Sequence, residues 1–429
     1  MVERRKPMWV KDAIDYVMQY KKHGEIEIVS LDDCDGRFLA EPLVADHDVP
    51  PFNRSPYDGF ALRAVDTKNA SRDNPLSLKV IDEIGAGHVS EFEVGHMEAI
   101  RIMTGAQIPK GSDSVVMLEL VKEEKRSEGT LITIKRSLKE GENISFQGED
   151  TKKGNPLIDR GVAINPGIKA LLATFGYSNV KVSRRPLIGI IATGSELLNP
   201  DEELVPGKIR NSNGYMIESQ ILRAGAQYKR YASISDNLDK LYETIKLALD
   251  ECDILITTGG VSVGDYDYLP EIYRRLGANL LFNKIAMRPG SVTSCAEKDG
   301  KLLFGLSGNP SACYIGFELF VRPYIRTWLC SERPYLRTIS GTLKNDFSKP
   351  NPFSRFVRGK IVYENGNVFV EPVGLDKSGV VTSLAWADCL MILPGGTRGY
   401  MNGDQIELLL LEDQQGSEKP WVEAKFSKS

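Results

Sequence analysis

The chain has 429 residues, with 54 lysines and arginines against 58 aspartates and glutamates, a net charge of −4 and six cysteines. At roughly 150 residues per domain this length predicts about three domains; the balanced, dispersed charge leaves no basic footprint for nucleic acid or an anionic membrane surface. No run of eighteen apolar residues and no apolar stretch at the N-terminus occurs, so neither a membrane span nor secretion is supported and a cytoplasmic protein is expected.

Cys34, Cys252, Cys295, Cys313, Cys330 and Cys389 form no CxxC pair and several sit in apolar patterns, which predicts reduced core thiols. The four histidines, His23, His47, His88 and His96, lack zinc-ligand spacing and read as surface or structural residues.

In chain order, helical spacing of apolar residues over Trp9 to Met18 predicts a helix, and alternation over Glu25 to Leu31 a strand. The proline-flanked stretch DVPPFNRSPYDGFAL, Asp48 to Leu62, is extended or turn-like and places Asp58 before Gly59 in a turn. Short β-rich runs from about Leu76 to Ile134 predict a β-rich domain. The loop GENISFQGED, Gly141 to Asp150, is followed by a short strand, a turn and a helix bounded by Gly176.

After Pro186 strands and helices alternate, as in a parallel sheet covered by helices. Strands are expected at Leu187 to Ala192, near Tyr228 to Ile234, from Ile254, over Leu280 to Met287 and over Lys301 to Leu306. Helices are expected near Gly214 to Ala224, from Leu238, and from Asn309 to about Leu329. Asn309 as N-cap and Pro310 at the first helical position would leave helix N–H groups open to an anion. From Thr338 to Leu411 the pattern is again β, fitting a small barrel or sandwich; the tail beyond Glu412 is polar and is expected to be weakly ordered.

The stretch ILITTGGVSVGDYDY, Ile254 to Tyr268, has the form of a buried strand opening into a glycine-rich loop that ends in two acids. Ligands of open α/β sheets bind at the carboxyl ends of the strands. Gly259, Gly260 and Gly264 would let backbone N–H groups approach an anion, whereas Asp265 and Asp267 would repel one that lacks a cation, so the pattern suggests phosphate plus metal. A tight strand-to-helix connection with solvated acids fits the same residues equally well.

The ordered stretches GRFLAEP, PPFNRSPYDGFA, RIMTGAQIP, GENISFQGED, RRPLIGIIATGSEL, TTGGVSVGDYDY and GLSGNP resemble the molybdopterin molybdotransferases, a family that includes bacterial molybdenum-inserting enzymes and the E domain of gephyrin. The resemblance implies a multidomain α/β plus β fold in four parts. These are an extended dimerisation domain (1–49 and 141–183), an inserted β-rich domain (50–140), a molybdopterin-binding three-layer α/β domain (184–330) and a C-terminal β-barrel with its tail (331–429). It also implies a homodimer, with a molybdopterin adenylyltransferase as upstream partner. The implied reaction is Mg²⁺-dependent insertion of molybdate into adenylylated molybdopterin with release of AMP, the metal polarising phosphoryl oxygens.

Carried over by motif, the implied catalytic residues are Asp58, Thr104, Asp150, Glu196, Asp236 and Asp267, with Glu196, Asp236, Asp267 and Asp58 as metal ligands. Several carboxylates beside a phosphate require a hard cation such as Mg²⁺. The implied substrate-binding residues are Thr193, Gly194, Ser195, Gly259, Gly260, Ser262, Gly264, Lys284, Arg288, Ser307, Gly308 and Asn309. Lys284 and Arg288 are four apart in an expected strand, which would put both on one face; Arg355, Arg358 and Ser383 are further candidates. The chain departs from the family at Ser291 and Val292, which replace a lysine and a proline, at Asp388 in place of asparagine and at Tyr57 in place of methionine.

Read locally, the same residues have ordinary structural roles. Asp236 could cap the following helix, Glu196 could do likewise, Asp58 and Thr104 could stabilise turns, and Asp150 could be a solvated loop acid. A molybdopterin adenylyltransferase, a tungstate-inserting homologue and a gephyrin-like scaffold are the alternative functions.

Overall fold

The computed structural model describes residues 6–234, 237–260, 268–350 and 352–421. The chain divides into two compact units, one made of residues 42–159 and 171–176 and the other of the remainder.

In the smaller unit, strands at Ser114–Met117, Gly59–Leu62, Glu98–Ile102, Leu76–Ile84, Gly129–Ile134 and Val121–Arg126 form one six-stranded sheet in that spatial order. Period-two alternation sends Phe60, Leu62 and Val116 to one core, and Ala61, Ile100 and Val115 to another. Gly59 begins a strand and lies in no turn. A Cβ there would come within 2.0 Å of the Val116 carbonyl oxygen, so close strand approach is what requires glycine.

The larger unit opens with the expected helix, Val10–Gln19, and an antiparallel pair, Ile26–Ser30 with Asn179–Ser183. Its centre is a six-stranded sheet: β1 (Leu187–Ala192), β2 (Gln227–Arg230), β3 (Ile254–Thr258), β4 (Asn279–Phe282), β5 (Ser294–Lys298) and β6 (Lys301–Leu306), in the order β2-β1-β3-β6-β5-β4. The first four in that order run parallel, with Ala192 opposite Thr258 and Thr258 opposite Leu306, so the carboxyl ends of β1, β3 and β6 are level. Ile188, Ile190, Ile256 and Phe304 pack with Ile217 and Ile221 of α1 (Ser212–Ala224) and with Phe317 and Ile325. Ile191, Leu255 and Leu303 face Leu241 and Ile245 of α2 (Leu238–Glu251) and Ile272 of α3 (Leu269–Leu276). Both faces are thus covered, which is the condition for a parallel sheet.

The last helix runs on from Pro310 through a π-helical turn at Phe317–Val321 to Trp328. Beyond it, β7 (Thr338–Leu343), β8 (Ser354–Glu364), β9 (Asn367–Pro372), β10 (Cys389–Leu393) and β11 (Gln405–Leu410) close into a five-stranded barrel through the β8–β10 pairing.

Asp253, at the start of β3, fixes the register of the two central strands. Its carboxylate accepts two bonds from Arg184, each 2.9 Å, and one from the Leu187 N–H at 2.8 Å. Burial pushes its pKa up, but these donors outweigh burial and hold it below the ordinary value. A depressed acid stabilises the fold above its unfolded pKa and loses that contribution as pH falls through the lower folded value. Asp253→Asn is therefore expected to lower the melting temperature at pH 7 by about 3–8 °C and to narrow that gap below about pH 3.5. Calorimetry at the two pH values checks it; an equal deficit at both would contradict the ionic account.

Several local expectations need correction. The tail is not loose as far as Trp421. Gln414 Oε1 accepts from buried Arg326, and Trp421, 6% exposed, donates 2.6 Å to Glu407 and packs edge-on against Phe356. Buried guanidiniums need acceptors, and the tail supplies them. All six cysteines are free and five are buried, as composition suggested. Among the described residues no helix is long and apolar enough to cross a membrane.

Candidate functional site

The level carboxyl ends of β1, β3 and β6 open into a cleft of about 880 Å³, joined by a recess of about 360 Å³ that shares Thr193, Glu196, Gly259, Gly308 and Asn309. Of the residues singled out in the sequence, Thr193, Gly194, Glu196, Gly259, Gly260, Arg288, Ser307, Gly308, Asn309 and Arg355 line it, as do the departures Ser291 and Val292.

Its floor is built by close backbone approach. Gly259 and Gly260 have φ of 89° and 64°. A Cβ on Gly259 would lie 2.3 Å from the Thr193 carbonyl oxygen, and one on Gly260 3.0 Å from Thr193 Oγ1. Thr193 is itself held by its N–H, which donates 2.9 Å to the Thr258 carbonyl. Asn213, on the first turn of α1, locks the strand ends: its Nδ2 donates 2.9 Å to Thr258 Oγ1 and 2.9 Å to the Gly308 carbonyl. Thr258 Oγ1 then donates 3.2 Å to the Ser307 carbonyl. The sequence signals only a helix start in the run Asn211–Asn213; the two partners lie 45 and 95 residues away.

Glu196 is exposed on the rim and folds back over Gly194, where a Cβ would come within 2.5 Å of Oε2. It caps no helix. The residues after it form a two-residue strand, Leu197–Leu198, parallel to Ile209–Arg210, and the N-cap of α1 is Asn211, which accepts from the Gly214 N–H. Ser195 does not line the cleft among the described residues; its carbonyl accepts from Lys208 Nζ at 2.5 Å. The cap of α2 is Asn237, which accepts from the Lys240 N–H at 2.9 Å. Asp236, Ser262, Gly264 and Asp267 lie outside the described residues.

Two expectations about positive charge change. Lys284 and Arg288 do not share a strand face: β4 ends at Phe282, the Lys284 carbonyl accepts from the Met8 N–H, and Met287–Arg288 form a separate short strand parallel to Ser354–Arg355. Backbone pairing with other segments pulls the chain out of the sheet there. Arg288 lines the cleft and Lys284 does not, among the described residues. The start of the last helix is also less open than expected. Pro310 has no N–H, the Asn309 N–H donates 3.2 Å to Ser307 Oγ, and the Ser311 N–H donates 3.0 Å to the Ser378 carbonyl. Arg288, whose side chain pairs with no carboxylate among the described residues, is therefore the exposed cation of this wall.

The loop between β9 and β10 forms the opposite wall. Asp376, which the sequence did not single out, pairs with Arg355 Nη1 at 2.5 Å and Lys349 at 3.5 Å, so its charge is compensated. Arg358, 1% exposed, ties the same loop down through Ser383 Oγ and the Leu375 carbonyl. Asp388 accepts from the Ile361 N–H at 2.9 Å and serves the barrel.

In the smaller unit Asp58 and Thr104 meet. The Thr104 N–H and Oγ donate 2.7 and 2.8 Å to Asp58 Oδ1, and these two bonds lower the carboxyl pKa against the small opposing effect of burial. Asp150 is exposed in the loop where its own N–H donates to the Val49 carbonyl. Among the described residues no group of three or more His, Cys, Asp or Glu is placed to hold a metal.

Three family profiles match consecutive parts of the chain: the MoeA N-terminal region (domain I and II) over residues 8–176, a probable molybdopterin binding domain over 189–327, and the MoeA C-terminal region (domain IV) over 340–411. The molybdopterin molybdenumtransferase of Bacillus subtilis (strain 168) is 55% identical over 421 residues, covering 98% of each chain. A Staphylococcus epidermidis protein of the same name is 50% identical, covering 97% of this chain and 99% of its own. The crystal structure of the molybdopterin biosynthesis moeA protein of Pyrococcus horikoshii OT3 superposes with a TM-score of 0.80 at 31% identity, covering 95% of this chain and all of that one.

Proposed function

Because the chain belongs to the molybdopterin molybdenumtransferase family, enzymes of molybdenum cofactor biosynthesis, we propose that its cleft binds adenylylated molybdopterin and promotes molybdate insertion with release of AMP. The observation that carries this reading is the cleft itself. One carboxylate, Glu196, and one exposed guanidinium, Arg288, flank a glycine floor at the carboxyl ends of parallel strands.

The glycine floor brings the substrate's phosphates against backbone, and Arg288 offers a planar fork to an oxyanion. Asn213 and Thr258 keep the strand ends rigid, so the phosphoanhydride is held in one orientation for attack. Mg²⁺ commonly takes one or two carboxylates together with substrate phosphates, and the exposed Glu196 suits that donor set, whereas Asp376 is already paired with Arg355. Asp236 and Asp267 complete the proposed ligands on this unit. When bound, Mg²⁺ would neutralise charge developing on the phosphoryl oxygens. Asp58, held as a carboxylate by Thr104, and Asp150 belong to the same reading, in which a cytoplasmic homodimer completes each site with the acidic group of a second protomer. An adenylyltransferase would supply the substrate.

Incubation with adenylylated molybdopterin, Mg²⁺ and molybdate is expected to release AMP only when the oxyanion is present, and to yield metallated cofactor. AMP release indifferent to molybdate and tungstate alike would defeat the assignment.

A further inference from the structure

We propose that Lys208 is a positioning residue for the turn that presents Glu196 to the cleft, an inference that rests on the function proposed above. The chain leaves the rim at Leu198 and returns at Ile209, where two residues on each side pair in parallel. Three backbone bonds close this arrangement: Leu197 N–H to the Gly194 carbonyl at 3.3 Å, Ile209 N–H to the Glu196 carbonyl at 2.9 Å, and Asn211 N–H to the Leu198 carbonyl at 2.8 Å. All three hold positions 194–198 through the main chain. The Lys208 ammonium adds the side-chain tie, reaching across the excursion to the Ser195 carbonyl, one peptide before Glu196.

That bond has a mechanical consequence. A charge-assisted bond to the carbonyl opposes rotation of the Ser195–Glu196 peptide, and so narrows the orientations open to the Glu196 carboxylate. Glu196 sits on an exposed turn and depends on such ties for its geometry, because no helix supports it. Lys208 does not line the cleft among the described residues, so its influence on the reaction runs through Glu196.

The test compares Lys208→Met and Lys208→Arg in the full chain, using amide hydrogen exchange and the Mg²⁺ dependence of molybdate-driven AMP release. In Lys208→Met, exchange at Leu197 and Ile209 should accelerate about tenfold, the value expected for loss of a charged hydrogen bond. The Mg²⁺ concentration giving half-maximal rate should rise by a similar factor, while kcat at saturating Mg²⁺ stays within about twofold of the parent. Lys208→Arg should restore both. Unchanged exchange and Mg²⁺ dependence in Lys208→Met would overturn the proposal, as would a fall in kcat that excess Mg²⁺ does not recover. Should the parent release no AMP, the functional reading fails and the exchange rates alone decide the role of Lys208.

Discussion

Gly259→Ala is expected to lower kcat/KM for molybdate-dependent AMP release about 100-fold, with a much smaller effect on overall folding. Two costs coincide at this position. The backbone φ of 89° lies in a region that L side chains rarely adopt, a strain of about 1–3 kcal/mol. The new Cβ would also press on the Thr193 carbonyl oxygen from 2.3 Å, and that neighbour is main chain, which cannot swing aside. Relief requires β3 and the loop after β1 to separate at the point where they form the cleft floor. Since about 1.4 kcal/mol is a tenfold change, strain of this size converts to a loss of about two orders of magnitude if it is relieved at the site. Neighbouring glycines provide graded controls. Gly260→Ala, with φ of 64° and 3.0 Å to a side-chain oxygen, should cost less, and Gly308→Ala, 3.5 Å from Gly259 Cα, should fold and bind nearly as the parent does. Equal activity in all three variants would remove the close-approach argument.

Asp58→Asn is expected to reduce the rate of AMP release by about 100-fold or more, the scale seen when a preorganised electrostatic group is removed, without altering thermal stability. The asparagine oxygen can still accept from the Thr104 N–H, so the loop geometry is retained while the charge is lost. The exposed position of Asp58 makes a stability cost small. The sign of its pH dependence follows from the lowered pKa: the carboxylate is ionised throughout the neutral range and takes up a proton only as pH falls below the ordinary carboxylate value. The rate profile of the parent between pH 5 and 9 should therefore carry no inflection from this residue, and the deficit of Asp58→Asn should be constant across that range. A deficit that disappears at one end would assign the effect to another group.

The strand-to-glycine-loop junction at Ile254 to Gly260 was legible because every requirement is local: β-branched residues for a buried strand, then glycines where the backbone turns left-handed. The helices carrying apolar stripes were legible for the same reason. The positions of charges around the cleft were not. Asp376 faces Arg355 across a barrel loop and is neutralised by it, while Lys284 leaves the wall because its neighbours pair with the N-terminal segment and with β8. Spacing along the chain reports none of these partners. The helix start at Asn309 shows the same limit, since its cap signal is local but the acceptor for the Ser311 N–H, the Ser378 carbonyl, comes from 67 residues further on.

The sequence by itself determined the strand–helix alternation and the strand-to-loop junctions that make the cleft floor, because these depend on short-range sterics and periodicity, while its ordered motifs carried the resemblance to the family and its domains. Only the tertiary structure decided how the charges are shared. It brought Asn213 to Thr258 and Gly308, gave Asp58 to Thr104, withdrew Asp376 into an ion pair and left Arg288 facing the cleft with Glu196. A charge acts through whatever lies within a few ångströms of it, and in this fold those neighbours are tens of residues distant along the chain.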